Sequence, residues 1–295
     1  MKVIPVPASL DERSFDGMLE YLAAESAERV LLDARHLRFA DPFGMLSLLS
    51  IGQYVKQSGE PAILQLPDEA DVVGYMDRMD FFDQAKDLFE IHGGGKRRRA
   101  DDAGASQVLL EITPVNSHQD VHGVVDRVNQ RAADILTTQL NYAKLQAGHF
   151  SMILSEVCQN IIEHAEAGGF VATQTYTYKK RLGGKKVVII AVMDLGIGFR
   201  ASLTSAHATR FADRWNDATA LESAFMHGLS RFHDPGRGQG LQQIRRNVNR
   251  WGGRFSIRSG TARIADVPDW DEGSPMDQNL PYFPGAQICI ILPER

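Results

Sequence analysis

The chain has 295 residues, of which 43% are hydrophobic and 23% are charged, and its formal net charge is −5. This length allows two domains, and the mildly acidic balance argues against nucleic acid as the main partner, since nucleic-acid-binding domains are usually basic. No apolar run approaches the length of a bilayer span, and Cys158 and Cys289 lie in apolar patterns, so we expect a cytoplasmic protein with reduced thiols and no membrane contact.

Residues 1–92 alternate between short apolar runs and segments with helical spacing. Strands are predicted around residues 3–6, 30–32, 63–66 and 88–91. Apolar residues three and four apart predict helices between them, and Asp68 is a candidate cap for the helix that contains Val72 and Met76. Strands joined through single helices form mostly parallel sheets. We therefore predict a small α/β domain with a mostly parallel sheet of about four strands.

Residues 93–106 contain three glycines followed by four consecutive cations at 96–99. Such a run has little reason to pack, so we predict a flexible basic linker. A contact of these cations with nucleic acid or a membrane surface is the weaker alternative.

Residues 107–295 open with a predicted strand at 108–112, followed by a helix that Ser117 caps with Asp120 at its third position. The alternating residues 172–178 and the apolar run 185–193 predict an antiparallel hairpin. A helix begins at Leu241, and residues 265–284 are predicted to form a loop between two strands, the last of which covers 286–292.

Three polar residues recur at every fourth position of a predicted helix: Glu156, Asn160 and His164. This spacing places them on one helical face. An apolar face is predicted opposite, formed by Met152, Ile153, Val157 and Ile161. The polar stripe suits a metal-bound phosphate, and a solvated helix face is the alternative interpretation.

The apolar run of the hairpin ends in Asp194, followed by Gly196 and Gly198. A carboxylate beside backbone without Cβ atoms is a plausible seat for a purine ring, and an ordinary turn is the alternative. Further along, glycines precede the helix that begins at Leu241: Gly236, Gly238 and Gly240. Glycines that open a helix present free N–H groups to an anion.

In this order the three motifs resemble the GHKL ATP-binding family, which includes gyrase-type ATPases, histidine kinases and anti-sigma serine kinases. The resemblance covers roughly residues 107–295, and the helix motif is most similar to the anti-sigma serine-kinase branch. It implies an α/β sandwich that binds ATP and Mg²⁺, with a mobile lid over about residues 200–235. In and just after that lid, Arg231, His233 and Arg237 are candidates for phosphate contacts, and ordinary surface residues are the alternative interpretation.

For the adenine end, the resemblance implies that Asp194 accepts a hydrogen bond from the adenine amino group, while Gly196 and Gly198 let the chain pass close to the ring. One position departs from the family. Where similar proteins have Gly-Thr at the start of the last strand, this chain has Gly285-Ala286. One adenine contact is therefore missing or replaced.

For the phosphate end, the resemblance implies that Asn160 binds Mg²⁺ through its side-chain oxygen. Glu156 would be the catalytic residue that orients or deprotonates a nucleophile, and His164 would hydrogen-bond a phosphate. The phosphate tail would lie on the backbone of Gly236, Gly238 and Gly240.

Residues 1–92 resemble a STAS domain, the fold of anti-sigma factor antagonists, through a strand, the sequence Phe39-Ala40-Asp41, a turn and a helix. A generic small α/β unit is the alternative. Where phosphorylated antagonists carry serines after the aspartate, this chain has Pro42 and Phe43, neither of which accepts a phosphate. A phosphorylation of this turn by the same chain is therefore not expected.

Together the resemblances imply a cytoplasmic ATP-binding signalling regulator with three parts: a STAS-like domain (1–92), a linker (93–106) and a GHKL domain (107–295). The first hypothesis is a Mg²⁺-dependent ATPase or anti-sigma-type serine kinase that acts on a separate protein, such as a sigma factor or an antagonist-like regulator. The alternative is a nucleotide-gated protein-binding module with little turnover. A gyrase-like DNA machine is a distant third. A homodimer is expected from the family alone.

Overall fold

The computed structural model describes residues 1–23, 29–94, 108–231 and 239–295, and for residues 130–134 it describes the backbone only. The linker predicted over residues 93–106 therefore lies outside the described residues, apart from Gly93 and Gly94. Within the described ranges, no helix has both the length and the apolar character of a membrane span.

The N-terminal unit, residues 1–94, is built around a parallel sheet. Its elements are β1 (Lys2–Pro5), β2 (Ser9–Leu10), α1 (Glu12–Ala23), β3 (Val30–Asp33), β4 (Phe39–Ala40), α2 (Pro42–Gln57), β5 (Ala62–Gln65), α3 (Ala70–Arg78), α4 (Phe81–Ala85) and β6 (Phe89–His92). Four strands pair in the order β1-β3-β5-β6, all parallel, which confirms the predicted parallel sheet. The predicted cap was wrong, because Glu69 and not Asp68 precedes the first turn of α3.

The C-terminal unit, residues 108–295, is built around an antiparallel sheet. Its elements are β7 (Val108–Val115), α5 (His118–Thr138), α6 (Lys144–Asn160), a π-helical turn (Ile161–Ala165), β8 (Gly169–Tyr178), β9 (Lys185–Asp194), α7 (Gly198–Phe211), a 3-10 turn (Ala212–Arg214), α8 (Asp217–His227), α9 (Gln239–Arg250), β10 (Arg254–Gly260), β11 (Ala262–Asp266), β12 (Met276–Asp277) and β13 (Phe283–Pro293). Seven strands pair in the order β12-β11-β10-β13-β9-β8-β7. The predicted hairpin is confirmed as β8 and β9, and the predicted capping box of Ser117 and Asp120 begins α5.

Residues 200–231, part of the predicted lid, are mostly helical. In α8, Ala220, Leu221 and Phe225 are fully buried. Leu221 and Phe225 join the core between the helices and the sheet, where Phe225 packs on Phe255 of β10 with 5.1 Å between ring centroids. The lid predicted over about residues 200–235 stays a prediction, and its described part is helical over Gly198–Phe211 and Asp217–His227. Residues 232–235 lie outside the described residues.

Both faces of the seven-stranded sheet are covered. Along β9 the side chains alternate: Val188, Ile190 and Val192 pack against the helices of the C-terminal unit, on the face that we call the inner face. The intervening side chains, such as Ile189 and Met193, join the core of the N-terminal unit, on the outer face. Helix α2 lies on this outer face, where Ser50 Oγ is 3.6 Å from Met193 Sδ. The two units therefore share one continuous core.

Charged pairs border this shared core. On the outer face of β10, Arg254 pairs with Glu12 and Arg258 pairs with Asp16, with 2.7 Å between Arg258 Nε and Asp16 Oδ1. The other Asp16 oxygen accepts from Arg263 Nη1 at 2.9 Å. Since Glu12 and Asp16 are one turn apart at the start of α1, both carboxylates face the same row of arginines.

Candidate functional site

A cavity of about 360 Å³ lies on the inner face of the sheet, at the end of β9. Helix α6 and the π-helical turn form one wall, and the first turns of α7 and α9 form two others. Residues 229–231 border its mouth. Apolar side chains from the sheet and α7 line its floor: Val192, Ile288 and Leu203. The volume is in the range of small-molecule sites, roughly 300–1,000 Å³.

Asp194 is buried at the end of this cavity, with 7% of its surface exposed. Its Oδ1 accepts hydrogen bonds from the backbone N–H of Gly196 at 2.8 Å and of Ala286 at 3.3 Å. Burial raises the pKa of Asp194 to about 6, although the two hydrogen bonds oppose the rise. Among the described residues no donor is bonded to Oδ2, so that oxygen can accept a hydrogen bond from a ligand.

The two predicted glycines after Asp194 keep the backbone close to its neighbours. A Cβ on Gly196 would lie 2.0 Å from the carbonyl oxygen of Ala165, which is a severe overlap with backbone. Gly198 has φ +70, a conformation that other residues rarely adopt, and it begins α7. Both positions require glycine, and Gly198 itself lines the cavity.

The polar stripe of the sequence lies in the cavity wall, but not as one continuous helical face. Glu156 and Asn160 belong to α6, whereas His164 belongs to the π-helical turn. Such a turn has more residues than an α-helical turn, so it rotates His164 away from the position that fourfold spacing predicts. All three side chains nevertheless line the same cavity. Met152, predicted on the apolar face, is 43% exposed.

The amide of Asn160 has an unpaired polar atom. Its Nδ2 is buried and has no hydrogen-bond partner within the described part of the chain. Such a group costs free energy unless a ligand pairs with it. The same ranges hold no group of three or more His, Cys, Asp or Glu side chains that could bind a metal. One amide beside a cavity fits a Mg²⁺ ion that keeps several waters and takes most of its ligands from phosphates.

Glu156 lies against the first turn of α9. A Cβ on Gly240 would be 1.6 Å from Glu156 Oε1, so the carboxylate occupies the space that a larger residue would fill. Helix N-termini attract anions because their first N–H groups are unpaired and the helix dipole is positive there. The predicted phosphate glycines Gly236 and Gly238 lie outside the described residues, and Gly240 lines the cavity.

Arg231 joins the mouth of the cavity to the π-helical turn. Its Nη1 donates to Glu166 Oε1 at 3.0 Å, and its Nη2 donates to the carbonyl oxygen of Glu163. The neighbouring Ser230 carbonyl is 2.8 Å from His207 Nε2 of α7. These contacts fix residues 230–231 beside the cavity and place a cation there.

The sequence did not indicate the α7 and β13 side chains that line the cavity, including Ser202, Leu203 and Ile288. The sequence contains a partial signal for β13, because Gly285-Ala286 stands where similar proteins have Gly-Thr. In the structure the backbone N–H of Ala286 binds Asp194, so this position contributes through its main chain. Comparison of the sequence with models of known protein families and with curated proteins gave no significant match.

Proposed function

We propose that the cavity binds Mg-ATP and that the protein is an ATP-binding signalling regulator, with a GHKL-like C-terminal unit and a STAS-like N-terminal unit. The observation that supports this most is the meeting of Asp194, Asn160 and Glu156 in one cavity, although they come from separate elements. Each residue type suits a different part of a nucleotide.

At the base end, Oδ2 of Asp194 accepts a hydrogen bond from the adenine amino group, while Val192 and Ile288 contact the ring. The raised pKa keeps the carboxyl ionised only above about 6. Guanine carries a carbonyl where adenine carries the amino group, so the same carboxylate would face an acceptor. A site built around such a hydrogen bond discriminates strongly between the two bases.

At the phosphate end, Asn160 would hold Mg²⁺ through its amide oxygen, a hard ligand that suits this ion. The metal, when bound, offsets phosphate charge. Glu156 lies beside the first turn of α9, where it can orient a nucleophile or take its proton. Arg231 supplies a positive charge at the mouth of the same cavity.

The preferred activity is transfer of a phosphoryl group to water or to a hydroxyl of a separate protein, such as a sigma factor or an antagonist-like regulator. The two positions directly after Asp41 offer no acceptor hydroxyl, because they hold Pro42 and Phe43, and Phe43 is fully buried. The alternative is a nucleotide-gated binding module. The burial of Phe43 supports that alternative, because the N-terminal unit packs on the sheet through this part of α2 and does not expose it as a substrate.

Binding is tested with Mg-ATP and Mg-GTP titrated into the wild type, Asp194→Ala and the control Asp213→Ala, an exposed carboxylate of the 3-10 turn. We expect saturable binding of ATP, at least about tenfold weaker binding of GTP, and loss of this preference in Asp194→Ala only. Equal affinity of the wild type for both nucleotides would contradict the assigned adenine seat.

Turnover is tested by phosphate release from wild type and Glu156→Gln, after Mg-ATP binding has been shown for both. If Glu156 acts as the base, Glu156→Gln should still bind Mg-ATP but release phosphate about 10²–10⁴-fold more slowly than the wild type. This result would identify the protein as an enzyme. Equal and negligible release from both proteins supports the gated binding module.

A further inference from the structure

The first residue of β13 connects the N-terminal unit to the cavity. Phe283 is fully buried, and its ring contacts Phe15 of α1 and Tyr54 of α2, with centroid distances of 5.4 Å and 5.5 Å. Both partners belong to the N-terminal unit. Phe283 is therefore held from the outer face of the sheet.

Two residues later the same strand forms the proposed adenine seat. Gly285 has φ +74, and a Cβ there would lie 2.1 Å from the carbonyl oxygen of Asp194. Its own carbonyl accepts from Ser259 Oγ at 2.7 Å, and Ser259 Oγ accepts from the backbone N–H of Phe199 at 3.1 Å. Together with the bond from Ala286 to Asp194, these contacts join β13, β9 and the start of α7.

A second contact with the N-terminal unit lies on β9, the other strand of the proposed adenine seat. Met193 precedes Asp194, and strand alternation directs its side chain to the outer face, where Ser50 of α2 donates to its sulfur. Residues on both strands of the seat are thus in contact with the N-terminal unit. Helix α2 carries two of these contacts, through Ser50 and Tyr54.

We infer that the N-terminal unit positions the adenine seat, with Phe283 as the positioning residue that transmits its packing to Gly285 and Ala286. This inference rests on the proposed nucleotide site. It follows that nucleotide affinity depends on how well α1 and α2 hold Phe283. By linkage, bound nucleotide strengthens the contact between the two units to the same degree.

The chain offers a matched pair of substitutions. Tyr54→Ala removes a ring that contacts Phe283, and Tyr54→Phe keeps it. Phe39→Ala removes another aromatic contact between the units, the edge-on pair of Phe39 and Tyr176 at 5.4 Å. Tyr176 pairs with Val187 in β9, whereas Asp194 pairs with Gly169, so this control acts at the far end of the same hairpin.

The first readout is hydrogen exchange without nucleotide, at the backbone N–H groups of Gly196, Phe199 and Ala286. We expect Tyr54→Ala to exchange about fivefold to tenfold faster there, as loss of one aromatic pair would allow, while Tyr54→Phe and Phe39→Ala match the wild type. Exchange in β7 reports any general loss of stability. Equal exchange in Tyr54→Ala and Phe39→Ala would overturn the inference.

The second readout is the affinity for Mg-ATP. We expect Tyr54→Ala to bind about fivefold to tenfold more weakly than Phe39→Ala. If Tyr54→Ala exchanges faster but binds Mg-ATP as tightly as Phe39→Ala does, the positioning role of Phe283 is overturned. Failure of the wild type to bind Mg-ATP would remove the proposed function instead, and the exchange experiment would still decide whether the N-terminal unit holds this part of the sheet.

Discussion

The two faces of the seven-stranded sheet differ in chemistry. The inner face is largely apolar, and a group of polar residues lines the cavity at one end, around Asp194. The outer face carries arginines that pair with carboxylates of α1, and tyrosines near a second buried carboxylate, Asp41. The inner face has kept an opening for a ligand, whereas the outer face is filled by the N-terminal unit. One face is therefore suited to bind, and the other to hold two parts of one chain together.

Asp41 and Asp194, two buried carboxylates whose pKa values are raised, give the largest expected effect. Burial raises the pKa of Asp41 to about 8 and that of Asp194 to about 6. Each folded-state pKa lies above the ordinary value, so the native state retains a proton that the unfolded chain loses. The contribution of these two groups to the free energy of unfolding is therefore largest below about pH 4. It falls as the pH rises, by up to about 1.4 kcal/mol per pH unit for each group.

Between pH 6.5 and 8 this slope belongs mainly to Asp41, since Asp194 is already ionised there. We expect Asp41→Asn to flatten the slope in that window and Asp194→Asn to leave it. Urea unfolding at a series of pH values measures both. The same slope in Asp41→Asn as in the wild type would show that Asp41 is ionised in the folded protein.

The ion pairs of the outer face give the next largest effect. Asp16 binds two arginines, and the side chain of one of them, Arg258, is only 1% exposed. Asp16→Ala leaves that charge without its carboxylate, so we expect a loss of about 3 kcal/mol in unfolding free energy. The control is Glu69→Ala, whose partner Arg38 and whose own side chain are about half exposed, with a loss below about 1 kcal/mol. Similar losses would mean that the buried pair stabilises no more than a surface pair.

A substitution at Gly196, beside the proposed adenine site, is expected to have a smaller effect that depends on backbone packing. Gly196→Ala places a methyl group against the carbonyl of Ala165, so we expect a loss of roughly 1–3 kcal/mol. Gly17→Ala in α1 is the control, because a Cβ there meets no atom within 4 Å; we expect it to be neutral or stabilising by up to about 1 kcal/mol. Thermal unfolding compares the two. An undiminished melting temperature in Gly196→Ala would contradict the close approach.

Gly240→Ala is expected to have the smallest effect on stability, below about 1 kcal/mol. The atom that the new methyl group meets is the carboxylate end of Glu156, which can rotate away. Under the proposed function, this rotation removes the base from its position, so phosphate release should fall while folding persists. A variant with wild-type release would show that the position of Glu156 in the free protein is not the active one.

Local patterns predicted most of the elements because each is specified by nearby residues. The parallel sheet, the β8–β9 hairpin and the capping box of α5 all follow from short-range periodicity and turn chemistry. Contacts between residues that are distant in sequence were not predicted, because they depend on tertiary packing. Arg245 of α9 pairs with Asp266 at 2.8 Å and lies 4.4 Å from the centroid of the Phe225 ring. Neither partner is near it in sequence.

The packing of the N-terminal unit on the outer face was not predicted, although a signal was present. Residues 187–193 are apolar without alternation, and the whole run is buried. In an antiparallel hairpin with one solvated face, polar residues should alternate with apolar ones. The unbroken run therefore indicated that both faces are covered. The rotation of His164 by the π-helical turn had no comparable signal, since the spacing alone fits an ordinary helix.

The most direct test of the account is a calorimetric titration of Mg-ATP into the wild type, Asn160→Ala and the control Ser155→Ala, which changes a polar residue of the same helix outside the cavity lining. We predict saturable binding to the wild type and to Ser155→Ala. In Asn160→Ala we predict an affinity at least about tenfold lower, with little remaining dependence on Mg²⁺. No binding to any of the three proteins would contradict the assignment of the cavity to a nucleotide.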